Sequence, residues 1–451
     1  MQRRTQPDMQ DREASVQTSL RAIAKKAGEQ PGYRFRNLYG MLNEAMLQDS
    51  WQYIRKDAAY GVDRVSAEEY EQNLGENIRE LVEDLKGKRY RAKLVRRQYI
   101  PKGEGKYRPL GIPATQDKLL QVGVKRILEA IYEQDFLRCS YGYRPEVGAL
   151  DAVDKLTVKL QFGKYNYVVE ADIKGFFDNL DHEWLLKMLA ERIDDKAMLW
   201  LIEKWLKAGV LDTDGKVLHP ETGTPQGGIV SPILANVYLH YALDLWFQKV
   251  FVPQCCGEAC LIRYADDFVC AFEKEAEARR FYEALGIRLG KFGLELSAEK
   301  TRIVPFSAND KPGKTSFDFL GFEFRRGKDR AGKPHVKRQT ARKSLRKSLM
   351  RFKEWCRENR HRRMREIFKR LNAKLRGYYN YFGVYGNYDS LKEFYYEAIK
   401  LLWKYLNQRS QRHSYNWAGF RQLVEVFGIE KPRIVGRPKR TLRTSAAPGR
   451  A

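Results

Sequence analysis

A sheet covered on one face by helices, an α+β or α/β layer, is the architecture this 451-residue chain predicts. Three observations carry that reading. β-rich runs at residues 165–173, 261–272 and 317–324 are separated by long helical segments such as 181–208 and 232–250. The region before residue 90 has helical spacing and ends in a strand-like stretch. The region past Phe324 reads as amphipathic helices crowded with Lys and Arg.

Taken in order, residues 1–32 are polar and mixed in charge and read as an N-terminal extension, loose on its own. From Arg34 onward Leu38, Met41, Leu42, Ala45 and Met46 follow helical spacing. Gly61-Val62-Asp63 punctuates, and Ile78, Leu81, Val82 and Leu85 mark one face of a second helix. Residues 94–101 form a strand closed by a turn around Gly103 and Gly105. After the three β-rich runs, residues 325–376 hold 22 Lys or Arg against 4 Asp or Glu. Leu345, Leu349, Phe352 and Cys356 make one apolar stripe there, and Met364, Ile367, Phe368, Leu371 and Leu375 another. A charge run is often just a solvated face, but almost no acids balance these bases, so nucleic acid is the expected partner. The tail, 411–451, begins aromatic (Tyr415, Trp417, Phe420) and turns basic and rich in Pro and small residues.

Composition narrows the function. With 43% hydrophobic and 31% charged residues the chain is not of the disordered class. Its formal charge of +26 favours a polyanion. A membrane span is not expected, because the best apolar stretch, 229–247, is interrupted by Pro232, Asn236, His240 and Asp244. Arg3 and Arg4 are followed by no apolar stretch, and Asp8, Asp11 and Glu13 oppose a transit peptide, so a cytoplasmic location is expected. The six cysteines show no regular spacing and are expected reduced. Cys255, Cys256 and Cys260 cluster without a second pair in register, and read as a loop joining a helix to a strand rather than a zinc site.

The chemistry concentrates in residues 261–270, a β-hairpin interrupted by Asp266-Asp267. Neighbouring side chains on a strand diverge, but a tight turn at Ala265-Asp266 can aim carboxylates at one point. Carboxylates flanked by apolar strands are costly unless a cation compensates them, and Mg²⁺ suits one or two carboxylates plus substrate phosphates. Asp172, at the end of the run Tyr167-Val168-Val169-Glu170-Ala171, supplies a further carboxylate. Two ions so held can activate an attacking hydroxyl and stabilise a leaving pyrophosphate. Any one of these aspartates alone is more often a cap or a surface residue.

Tyr264-Ala265-Asp266-Asp267 resembles the catalytic box of reverse transcriptases, in the form found in group II intron-encoded reverse transcriptases, or maturases. Gln98-Tyr99-Ile100-Pro101-Lys102 with Lys106-Tyr107-Arg108-Pro109-Leu110-Gly111-Ile112-Pro113 resembles that family's fingers hairpin. Ser140-Tyr141-Gly142-Tyr143-Arg144-Pro145, Gly223-Thr224-Pro225-Gln226-Gly227-Gly228-Ile229-Val230-Ser231-Pro232 and Phe319-Leu320-Gly321-Phe322 resemble its further blocks, in the family's order. The resemblance spans residues 33–400.

It implies an α+β right-hand polymerase: fingers at 33–135, a palm with an antiparallel sheet at 136–330, a helical thumb or maturase region at 331–410, and a basic DNA-binding tail at 411–451. It implies that Asp172, Ile173, Asp266 and Asp267 hold two Mg²⁺ ions, with Mn²⁺ as a substitute, and that the three aspartates are catalytic. Lys102 and Arg108 would grip the incoming triphosphate, Phe176 would exclude a 2′-hydroxyl, and Gln226 would contact the nucleotide. Taken as bare residues, Lys102 and Arg108 are equally surface charges, Phe176 a core aromatic and Gln226 a turn residue. The implied function is RNA-directed DNA synthesis that copies intron RNA, with help to splicing and mobility. Implied partners are the intron RNA template, an RNA/DNA duplex, target DNA and deoxynucleoside triphosphates, in a ribonucleoprotein with the intron. Many family members end in a zinc-bearing endonuclease domain; with no Cys after Cys356 and only His413 late on, none is expected in this sequence. The competing readings are a reverse transcriptase of a defence or diversity-generating element, and a non-catalytic RNA-binding splicing cofactor.

Overall fold

A computed structural model of the chain describes residues 9–103, 106–224, 227–307, 315–329, 331–409 and 415–435. In chain order the elements are helices α1 (Met9–Glu29), α2 (Glu44–Ser50), α3 (Ala67–Gln72) and α4 (Leu74–Lys86); strands β1 (Val95–Gly103) and β2 (Lys106–Ile112); helices α5 (Thr115–Tyr132) and α6 (Ala149–Phe162); β3 (Tyr167–Asp172); α7 (His182–Ala190) and α8 (Lys196–Leu206); β4 (Val210–Leu211) and β5 (Val217–Leu218); α9 (Ser231–Leu239); β6 (Ala259–Tyr264) and β7 (Asp267–Phe272); α10 (Glu275–Gly290); β8 (Arg302–Pro305), β9 (Ser316–Phe319), β10 (Phe322–Lys328) and β11 (Pro334–Thr340); and α11 (Arg342–Asn359), α12 (Met364–Phe382), α13 (Tyr388–Leu406) and α14 (Trp417–Phe427). They form two compact units, one of residues 1–156 and 164–303, the other of 157–163 and 304–451. No helix among the described residues is long and apolar enough to cross a membrane.

The first unit is built around a four-stranded sheet in the order β6-β7-β3-β8. β3 and β7 run antiparallel, with Val169 opposite Cys270 and Ala171 opposite Phe268. Those four side chains and Phe272 lie on one face and enter the main core. Helix α10 backs the same face through Phe281, whose ring sits 5.2 Å from that of Phe272. The opposite face carries Glu170, Asp172 and Asp267, because side chains alternate along a strand. Helix α10 thus covers one face as expected, while Val168, Val269 and Ala271 on the opposite face are buried as well. A second sheet, β2-β1-β4-β5, contains the expected hairpin, with Ile100 opposite Arg108.

Several boundaries differ from the sequence reading. Residues 181–208 are two helices, not one. The break falls where Asp195 caps α8, its carboxylate accepting from the Ala197 and Met198 amides. Segment 232–250 is α-helical only to Leu239 and continues as two π-helical turns, His240–Asp244 and Phe247–Phe251. Residues 255–258 are the expected loop from helix to strand, and Cys260 already lies in β6.

The N-terminal extension is docked where it is described. Its described part is a 21-residue helix that buries Val16, Ile23 and Ala27 in the main core against α5. The stripe is sparse in the sequence, and what holds it is the tertiary partner rather than its own polar composition. Ile23→Ala should therefore cost about 2 kcal/mol or more, read as a lower denaturant midpoint; an unchanged midpoint would mean that the helix is not docked in solution.

The second unit joins a three-stranded sheet, β11-β10-β9, to four helices. Phe317, Phe319, Phe322 and Phe324 are all buried, and Leu320 and Gly321 turn the hairpin with positive φ. Both expected apolar stripes are inward-facing: Leu345, Phe352 and Cys356 on α11, and Ile367, Phe368, Leu371 and Leu375 on α12. Leu349 and Met364 are half-buried. α14 stacks Phe427 on Phe368 at 4.6 Å, and the segment after it returns along α12 through Asn372 and Arg376.

Candidate active site

The β3–β7 register sets Asp172 directly opposite Asp267. Such pairs have Cβ atoms about 4.5–5.5 Å apart, and like charges there repel. Asp266 occupies the turn, next to Ala265, whose φ of 56° is the left-handed conformation that a non-glycine residue rarely adopts. That twist brings the third carboxylate to the same end of the sheet. Burial pushes the Asp266 carboxyl above its ordinary value, and repulsion from Asp172 adds to it against the pull of Arg108 and Arg263. Three acids gathered on a half-dry edge need positive charge.

Part of that charge is supplied by the chain. Lys300 Nζ donates to Asp172 Oδ2 at 2.7 Å, and Arg302 Nε to Glu170 Oε2 at 2.9 Å on the same face. Asp172 is thus paired with an ammonium of the chain itself. Among the described residues no three His, Cys, Asp or Glu side chains converge closely enough to hold an ion unaided. Ile173 is buried and apolar, bridged to Leu296, so only its backbone carbonyl could serve an ion.

Arg108 is exposed on β2 and lies close enough to lower the Asp266 carboxyl. Lys102 lies on β1, but its side chain falls outside the described residues, as does Gln226 altogether. The loop carrying Gln226 is firmly held on both sides. The Gly223 amide donates to the Leu180 carbonyl at 2.7 Å, the Thr224 amide to the Phe177 carbonyl at 2.8 Å, and the Ile229 amide to Gln121 Oε1 at 2.9 Å. Gly227, with φ of 118°, approaches the Gly111 carbonyl so closely that a Cβ would stand 2.5 Å from it. Loop, fingers-type hairpin and the turn after β3 thus border one cavity of about 290 Å³, lined by Arg97, Leu110, Asp178 and Thr224 among others.

Two rings follow Asp172. Phe176, 2% exposed, and Phe177, 8% exposed, both belong to the main core; Phe177 also stands edge-on to Tyr143, whose ring leans on Tyr264 of the β6–β7 hairpin. Sequence reasoning gave no role to Tyr143, which lies in one of the family blocks, to Lys300, or to the fully buried Arg263. Tyr143 and Lys300 sit in polar stretches with no periodic signal, and charge alone marks Arg263 as a surface residue.

Residues 100–324 match the family model for reverse transcriptase (RNA-dependent DNA polymerase). The chain is 31% identical over 355 residues to protein YkfC of Escherichia coli strain K12, covering 70% of this chain and 90% of that one. It is 32% identical over 405 residues to the group II intron-encoded protein LtrA of Lactococcus lactis subsp. cremoris, covering 71% of this chain. It spans 66% of the length of LtrA. A telomerase from Candida albicans, solved with a fragment of telomeric RNA, aligns with a TM-score of 0.44 at 15% identity over 85% of this chain and 69% of its own. The chain belongs to the reverse transcriptase family, and its relatives include group II intron-encoded proteins.

Proposed function

We propose that this chain is an RNA-directed DNA polymerase encoded in a group II intron, copying intron RNA into cDNA and assisting the intron's splicing and mobility. The observation that carries the reading is the placement of Asp172, Asp266 and Asp267 at one end of one sheet, opposite or beside one another. On this reading residues 33–135 would be the fingers, 136–330 the palm, 331–410 the thumb and 411–451 a basic DNA-binding tail. Bound there, two Mg²⁺ ions would activate a primer hydroxyl and stabilise the leaving pyrophosphate, with Mn²⁺ as a substitute. Asp172, Asp266 and Asp267, with the Ile173 carbonyl, would hold them. Arg108 and Lys102 would receive the triphosphate, a task that suits a guanidinium fork and an ammonium. The loop of Gln226 would wall the nucleotide.

Primer extension on an RNA template, with the purified chain, deoxynucleotides and Mg²⁺, tests this reading. Template-directed extension is expected. Specific binding of structured RNA with no extension under any divalent ion would leave the non-catalytic splicing cofactor instead.

Sugar selection separates the two rings. As a gate, Phe176→Ala would admit ribonucleotides by about tenfold to a hundredfold, since an unpaired hydroxyl costs roughly 1–3 kcal/mol. As a packing residue, its loss would cost about 3–5 kcal/mol of stability and lower both nucleotide activities together. Both rings are buried in the main core, which supports the packing outcome for each, and the variant that changes the ratio, Phe176→Ala or Phe177→Ala, identifies the gate. Comparing both nucleotides on both variants assigns the role.

A further inference from the structure

Arg263 is completely buried, and so is the carboxylate it meets, Asp244. An isolated buried guanidinium is too costly to be incidental, so each of its donors matters. Nε and Nη2 form a bidentate pair with Asp244 at 2.8 and 2.5 Å. Nη2 also donates to Ser140 Oγ at 2.8 Å, and Nη1 to Asn236 Oδ1 at 3.1 Å. The remaining bond runs from Nη1 to the Ala265 carbonyl at 3.0 Å. Ala265 is the left-handed residue of the catalytic turn, one position before Asp266. Asp244 closes the π-helical turn after α9, an irregularity of the kind found at functional sites.

A second wall stands opposite. Gly142 packs so tightly on the turn that a Cβ there would collide with the Ala265 amide nitrogen. Its carbonyl accepts from Asn236 Nδ2 at 2.7 Å, so the wall and the guanidinium share one asparagine. The strained turn is thus clamped between a glycine and an arginine fixed to the same helix.

We infer that Arg263 is a positioning residue: its fork ties the Ala265 carbonyl to Asp244 and so fixes where the carboxylates of Asp266 and Asp267 point. It touches no substrate. The inference rests on the reading of this hairpin as the polymerase centre. A lysine keeps the charge that Asp244 requires but not the fork, and cannot reach the carboxylate and the turn together.

The test compares wild type, Arg263→Lys and Gly142→Ala. It measures kcat, KM for deoxynucleotide, template–primer affinity, the melting midpoint, and hydrogen exchange of the peptide covering 263–268 without substrate. Arg263→Lys is expected to lower kcat by about ten- to a hundredfold, the scale of a small misplacement of reacting groups. KM and template–primer affinity should stay within about threefold, since the contacts of the bound partners are unaltered. Exchange over the turn should accelerate more than over the rest of β6 and β7. Gly142→Ala, which pushes the same turn from the other side, should reproduce this pattern. Wild-type kcat in a folded Arg263→Lys protein overturns the inference. So does a loss that vanishes at a temperature well below the variant's midpoint, because the pair would then only stabilise the fold. If the wild type extends no primer, the polymerase reading fails on its own, and the exchange data still decide whether Arg263 anchors the turn.

Discussion

Asp266→Asn should abolish primer extension on an RNA template, by about a thousandfold or more, while leaving template affinity nearly intact. The size follows from the several kilocalories that metal-borne charge stabilisation supplies, at 1.36 kcal/mol per factor of ten. A second effect has the opposite sign. The ionised Asp266 carboxylate is held in a dry site beside Asp172, so its charge costs folding free energy. Its folded-state value is raised, so the metal-free protein gains stability as pH falls through that raised value. At neutral pH the neutral amide removes the cost. The variant should therefore melt higher than wild type in the presence of a chelator, and lose that advantage when Mg²⁺ is added. Full extension activity sinks the catalytic role; a lower melting point in chelator sinks the account of the charge.

Reversing Arg346, Lys347 and Lys369 to Glu should weaken RNA binding at least tenfold and flatten its salt dependence by roughly two to three units of slope. Each phosphate contact releases counterions worth about 0.7–0.9 of a unit. The three side chains are exposed on α11 and α12, away from the apolar stripes that hold those helices. Arg362, though it belongs to the same basic run, is a poorer choice, because Nη1 is engaged by Glu366 at 2.7 Å. Thermal stability should be nearly unaffected, since solvated charges contribute little to it. A salt slope equal to wild type places the phosphate contacts elsewhere on the chain.

The site was legible where chemistry and turn geometry coincide in a few adjacent residues. Ala265-Asp266-Asp267 interrupts an apolar run at the very position where the hairpin turns, and Asp172 ends its strand as read. The amphipathic stripes of α11 and α12 were equally plain, because helical spacing is a local property. What stayed hidden depends on partners distant in sequence. The Asp195 cap was visible as a residue type, yet its carboxylate also accepts from the Tyr39 amide, a contact 156 positions away. Helix α1 shows too few apolar positions to announce a buried face, and α5 with α2 makes it one. Arg263 looks like any charged residue until Asp244 is placed against it.

The sheet order carries a consequence for how the protein comes into being. β3 pairs on one side with β7, and Asp172 finds Asp267 only across that pairing. Everything between, including α7, α8 and α9, must be synthesised first. At about 5–20 residues per second, a nascent chain holds an unpaired edge at β3 for several seconds. During that interval the emerging polypeptide is nearly neutral, with 39 Lys or Arg against 38 Asp or Glu in residues 1–266, because the basic segment 325–376 lies beyond β7. Closing that long loop is a slow step, and the sheet carrying the three aspartates can pair before the basic helices α11 and α12 have been made, so an RNA that engages the nascent chain would find the carboxylate edge before the surface expected to grip phosphates.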